Sequence, residues 1–295
     1  MDSVALQEPR RLQVEISNRW GSGTMSVLEF GDASRPVDLV FVHANGFNAY
    51  TYRRLLQPLS GALRIWAPDL RGHGQTQLPL TTNIRRGWQD HRDDMVSLLK
   101  SIEGPPVALA GHSIGGVSSL LAAAEVPERV SRLLLLDPVI WGRLTVALFN
   151  VPGFNRIPSS VPIVKSTLRR RALFDSREQA LNSWRGRGAF KGWPDAALAD
   201  YVASGLVDVE GGVALACTPE WEASNYASQA HNPWRAMRRY KGDIRILKAE
   251  KGSLSAVASG LVPSNVTVDT VVGGGHLFPM THMEQTRDAL YDLAV

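Results

Sequence analysis

Residues 107–116 read Val-Ala-Leu-Ala-Gly-His-Ser-Ile-Gly-Gly. A short apolar run meets a glycine-flanked serine, and a run of small residues, 117–124, follows. The local structure this predicts is strand, sharp turn and helix, with Ser113 at the apex. The Gly-x-Ser-x-Gly spacing has a steric cause. The serine backbone is forced into a strained conformation, and Gly111 and Gly115 let strand and helix pass close together. The hydroxyl then stands clear of the sheet, facing turn amides and a helix N-terminus that favour negative charge. Ser113 is a candidate nucleophile.

Residues 38–42 (Asp-Leu-Val-Phe-Val) and Val130–Leu136 are continuous apolar runs, the mark of strands buried on both faces of a parallel sheet. Residues 64–67 form a further strand, and residues 49–59 and 88–102 read as helices, the second with Met95, Leu98, Leu99 and Ile102 inward. Residues 12–30 alternate loosely and read as an edge hairpin turning at Gly21-Ser22-Gly23. The α/β rhythm stops near residue 141 and resumes with strands at 244–247 and 266–272 and a last helix, 284–293. A mostly parallel sheet flanked by helices is expected, its core formed by residues 1–141 and 243–295. Residues 142–242 are expected to be a helical cap inserted between two strands, over the carboxyl ends where open α/β sheets bind ligands.

Composition narrows the classes. The 295 residues can bury a large core, and no apolar stretch approaches the roughly 20 residues of a membrane span. The polar N-terminal stretch reads as neither a secretory signal nor an anchor. Cys217 is the single cysteine, so an internal disulfide is excluded and a cytoplasmic protein is expected. Residues 141–242 hold 14 Lys/Arg against 8 Asp/Glu, while the remainder holds 18 against 20. That modest, local basicity lacks any nucleic-acid-binding motif. The partner expected is a small-molecule substrate, with neither nucleic acid nor membrane, and the sequence leaves the oligomeric state open.

Five landmarks stand in order: His43-Ala44-Asn45-Gly46, Asp69-Leu70-Arg71-Gly72-His73-Gly74, Gly111-His112-Ser113-Ile114-Gly115, Leu136-Asp137-Pro138 and Gly275-His276. With them the chain resembles the capped members of the α/β-hydrolase fold family over about residues 25–141 and 243–295. The resemblance implies that His276, at a glycine-rich strand end, is the base for Ser113, in the fold's Ser…acid…His order. His112 points away from the site in such a turn, and His43 and His73 sit in loops that the family braces with histidines. His91, His231 and His282 read as surface or core residues.

Many family members carry the acid as an aspartate after the strand at 244–247, but here Gly252 occupies that position. Asp137, at the end of Val130–Leu136, is the preferred candidate, and Glu250 is the alternative. Each has a bland reading, Asp137 as a turn cap before proline and Glu250 as a surface or loop-bracing residue. The oxyanion donors implied are the amides of Asn45 and Ile114, with the Asn45 side chain a further donor. A serine nucleophile argues against dehalogenase and epoxide-hydrolase chemistry, whose family members use aspartate.

No metal cluster or nucleotide-binding glycine loop is visible, and no cofactor is assigned. The cap tryptophans (Trp184, Trp193, Trp221, Trp234) suit an apolar acyl group or simply the cap's own core. Arg169-Arg170-Arg171 and Arg185/Arg187 suit an anionic substrate or a solvated face. The expected activity is cofactor-free serine hydrolysis of a carboxylic ester, lactone or thioester through an acyl-enzyme. The alternatives are C–C bond hydrolysis, perhydrolysis or other cofactor-free chemistry at the same Ser/His pair, and non-catalytic ligand binding.

Overall fold

The apolar runs become the inner strands of one eight-stranded sheet in the computed structural model, which describes residues 8–82, 85–152, 154, 157 and 159–295. Residues 1–7, 83–84, 153, 155–156 and 158, which fall within the expected core and cap spans, lie outside the described residues. The strands before the insertion are β1 (Arg10–Asn18), β2 (Gly21–Phe30), β3 (Leu39–Val42), β4 (Ile65–Pro68), β5 (Val107–His112) and β6 (Val130–Leu136). Within the insertion lie β7 (Leu173–Phe174), β8 (Leu206–Val209) and β9 (Gly212–Leu215); β10 (Ile244–Lys251) and β11 (Val266–Gly275) follow it. The main sheet runs β1-β2-β4-β3-β5-β6-β10-β11. Its β1/β2 and β2/β4 pairs are antiparallel, and every pair from β4 to β11 is parallel.

Alternation within a doubly covered strand explains the continuous apolar runs. Leu39 and Phe41 of β3 join one core with Tyr52, Leu56 and Leu290, while Val40 and Val42 join the other with Leu98, Val117 and Leu120. Each such side chain contributes roughly 1.5–3 kcal/mol by leaving water. The helix Gln89–Ser101 buries Met95, Leu98 and Leu99 as its periodicity requires.

Two sequence expectations are corrected. The β1/β2 hairpin turns at Arg19-Trp20, and Gly21 to Gly23 already belong to β2. Gly23 is needed inside that strand because a Cβ there would fall 2.2 Å from the Gln77 carbonyl oxygen. The insertion is also not purely helical: β7, β9 and β8 form a three-stranded antiparallel sheet beside its helices. Among the described residues no helix is long and apolar enough to cross a membrane.

Candidate active site

Ser113 joins β5 to the helix Ile114–Ala123 with φ +58° and ψ −118°. A non-glycine residue held there stores on the order of 1–3 kcal/mol, which the packing around the turn must offset. The glycines explain the packing. A Cβ on Gly111 would lie 2.4 Å from the Gly115 carbonyl carbon, and one on Gly115 would lie 2.3 Å from the Val42 carbonyl oxygen. Helix, β5 and β3 therefore touch backbone to backbone, and the hydroxyl is thrust past the sheet edge.

Three strand ends converge on that hydroxyl. His276 follows β11, and its Nε2 lies 3.1 Å from Ser113 Oγ. Its Nδ1 lies 2.6 Å from Asp137 Oδ2, just past β6. Asp137 is fully buried with φ +38°. Its carboxylate also accepts the Ala249 amide at 3.0 Å, the Leu254 amide at 3.1 Å and the Ser253 hydroxyl. Burial alone would raise its pKa, but the hydrogen bonds from His276, Ser253 and Ala249 hold it below the usual carboxylate value. Glu250 lies elsewhere. It is exposed, and its carboxylate accepts the Gly273 amide at 2.9 Å, bracing β10 against β11. Ser253, which no sequence signal singled out, stands one residue past Gly252, the position where the resemblance implied an aspartate.

Three of the other histidines brace neighbouring backbone. His112 Nδ1 is 2.7 Å from the Tyr52 hydroxyl, and its Nε2 is 2.8 Å from the His276 carbonyl. A carbonyl only accepts, so Nε2 carries the proton and Nδ1 receives the tyrosine hydrogen. Burial lowers its pKa to about 3. His43 accepts the Leu70 amide, and His73 accepts the Gly46 amide at 3.1 Å. Both are fully buried, and that burial lowers their pKa values.

Asn45 and Ile114 flank the serine on the cavity wall. As first residue of its helix, Ile114 has an amide with no intrahelical acceptor. The Asn45 side chain is anchored at both its nitrogen and its oxygen. Its Nδ2 donates to the Glu222 carbonyl at 3.1 Å, and its Oδ1 accepts Asn225 Nδ2 at 2.7 Å. Asn225 lies on the inserted helix Pro219–Ala227. Its own Oδ1 accepts buried Arg85 at 2.6 Å and His91 Nε2 at 3.1 Å. Arg85 is bidentate to Asp90, at 2.6 and 3.0 Å, and lies 4.2 Å over the Trp221 ring. Because guanidinium only donates, it fixes the orientation of the Asn225 amide, which in turn fixes that of Asn45.

A cavity of about 710 Å³ opens beside Ser113 and His276, within the range of small-molecule sites. Its walls are largely apolar, with Phe47, Trp88, Val139, Trp141, Phe190 and Leu277 prominent. Trp184 also lines it; Trp193, Trp221 and Trp234 are buried. Of the arginine run, Arg169 and Arg171 are exposed, whereas Arg170 faces the cavity. It donates to Glu222 Oε2 and to the Tyr201 hydroxyl, both at 2.8 Å. Burial opposes its charge, but Tyr201 and Glu222 together leave its pKa raised.

An open α/β sheet with a serine on a strained strand–helix turn, and a histidine and carboxylate at neighbouring strand ends, is the arrangement of α/β-hydrolase proteins. The alpha/beta hydrolase family profile matches residues 39–289, and the chain belongs to that family. It is 33% identical over 142 residues to the magnesium-chelatase 30 kDa subunit of Rhodobacter capsulatus, covering 47% of this chain and 48% of that one. It is 32% identical over 137 residues to the 2-hydroxymuconate semialdehyde hydrolase of a Pseudomonas strain, covering 45% and 47%. The chain thus spans about half the length of the curated relatives it matches. The crystal structure of E-2-(acetamidomethylene)succinate hydrolase superposes with a TM-score of 0.74 at 22% identity, covering 96% of this chain and 99% of that one. That last likeness speaks for the fold.

Proposed function

We propose that this chain is a cofactor-free serine hydrolase that cleaves a carboxylic ester, lactone or thioester through an acyl-enzyme. The observation that carries the reading is the continuous contact from Ser113 Oγ to His276 Nε2, 3.1 Å, and from His276 Nδ1 to Asp137, 2.6 Å. In this mechanism Ser113 Oγ attacks the acyl carbon as His276 Nε2 takes its proton. Asp137 holds the imidazole in the Nδ1–H tautomer and stabilises the imidazolium that forms. The Asn45 and Ile114 main-chain amides receive the developing oxyanion. His276 then protonates the leaving group, and a water activated by the same nitrogen hydrolyses the acyl-serine.

The reading is tested by intact-mass analysis after exposure to a fluorophosphonate. Wild type is expected to gain one adduct, and Ser113→Ala none. An unmodified, folded wild type would sink the proposal and leave non-catalytic ligand binding in its place.

Similarity to a semialdehyde hydrolase favours a second reading, C–C bond hydrolysis at the same Ser/His pair. A ring-fission diketone turned over faster than simple esters would move the assignment there.

A further inference from the structure

We propose that the Arg170–Glu222 pair makes the cavity select neutral, apolar acyl groups and reject acyl groups that carry a carboxylate. The inference rests on the acyl-enzyme reading above and names its substrate class. Among the described residues, three with a fixed charge line the cavity: Arg170, Glu222 and Arg187, the last on its exposed rim. Inside, cation and anion are matched at 2.8 Å, and Tyr201 occupies a second face of the guanidinium, also at 2.8 Å. Glu222 is buried against the loop that carries Asn45: a Cβ on Gly46 would fall 2.7 Å from its Oε1.

An incoming carboxylate therefore finds the inner cation already answered and must shed its water, in a site of low dielectric, without gaining a partner there. A neutral chain meets no such penalty and gains from burying its surface against the aromatic walls. In this arrangement the basic appearance of the arginine run is misleading, because its one inward member is answered by a carboxylate 52 residues away in sequence.

The test compares two p-nitrophenyl esters of equal chain length, the octanoate and the monoester of suberic acid, which ends in a carboxylate. Wild type is expected to favour the octanoate by about tenfold or more in kcat/KM, the scale of one charge-assisted contact. Glu222→Gln keeps the shape and unmasks Arg170, so the preference is expected to shift towards the suberate ester by a similar factor. Adding Arg170→Gln to that variant should restore the neutral preference.

Equal or better use of the suberate ester by wild type overturns the inference without recourse to any variant, and so does an unshifted ratio in folded Glu222→Gln. If neither ester turns over and the fluorophosphonate leaves Ser113 unmodified, the hydrolase reading falls instead. Charge selection is then read by calorimetry with octanamide against the monoamide of suberic acid, where tighter binding of the anion overturns it.

Discussion

Asp137 and Glu250 are separated by what each carboxylate touches. Asp137 receives four hydrogen-bond donors, one of them His276, while Glu250 braces a glycine amide on an exposed strand end. On the proposed mechanism, Asp137→Asn is expected to lower kcat by about 10³–10⁴-fold, because the amide can present a donor to Nδ1 and favour the wrong tautomer. Glu250→Gln should stay within a few-fold of wild type, both read from steady-state ester hydrolysis. The inverse pattern would transfer the role of acid to Glu250. The residue types were legible in the chain, since a strained serine turn and a glycine-flanked histidine announce themselves locally. The choice of acid was not, because it depends on which of three strand ends lies within 3 Å of an imidazole. Ser253 carries no sequence mark at all, and only the bond it makes identifies it.

Among the elements, the inserted helix Pro219–Ala227 does more than pack. Through Asn225 it connects the Arg85–Asp90 pair to Asn45, so the loop after β3 is clamped from the insertion side. Asn225→Leu keeps the branched outline of the side chain and removes both ends of the relay. On the proposed mechanism, kcat should fall about 10–100-fold with KM little changed, as an oxyanion donor loses its position. Asn225→Asp keeps an acceptor for Arg85 but sets two acceptors face to face at Asn45, so it should also lose kcat while losing less thermal stability than the leucine variant. Retention of full kcat by both would show the clamp to be dispensable. The strands of the main sheet were readable as apolar runs because burial on both faces leaves no room for polar alternation. The insertion's small sheet was missed, although Val-Asp-Val-Glu-Gly-Gly-Val-Ala-Leu at 207–215 has the alternation and the glycine turn of a hairpin. The hairpin turn at Arg19-Trp20 escaped because the neighbouring glycines, Gly21 set against Pro79 and Gly23 against Gln77, looked like turn residues.

For the molecule as a whole, the buried histidines set the acid limit of stability. Burial lowers His91 to about 4, and His112 and His231 to about 3, from an ordinary value of 6.5. Each folded-state value lies below the unfolded one, so their contribution is complete above about pH 6.5 and drains away as pH falls towards 3. Asp137, also lowered, adds loss in the same direction at the acid end. Asp94 and Asp200, raised by burial, act in the opposite sense. The melting temperature is expected to fall progressively below pH 6.5, and to fall less steeply in His231→Gln, by calorimetry across that range. A flat profile from pH 7 to 4 would contradict the burial of these imidazoles. None of this was visible in a count of seven histidines; it follows from where the fold puts them. Asp137 is the last step before the insertion departs, and Ser253 and Leu254, which bind its carboxylate, come just after the chain returns through β10. That seam would let recombination exchange everything between Pro138 and β10 while the Ser113–His276–Asp137 contacts stay behind. A descendant with a borrowed insertion would also lose Asn225, Arg170 and Glu222, inheriting Ser113 without the clamp or the charge pair proposed to set its ancestor's pace and its taste in substrates.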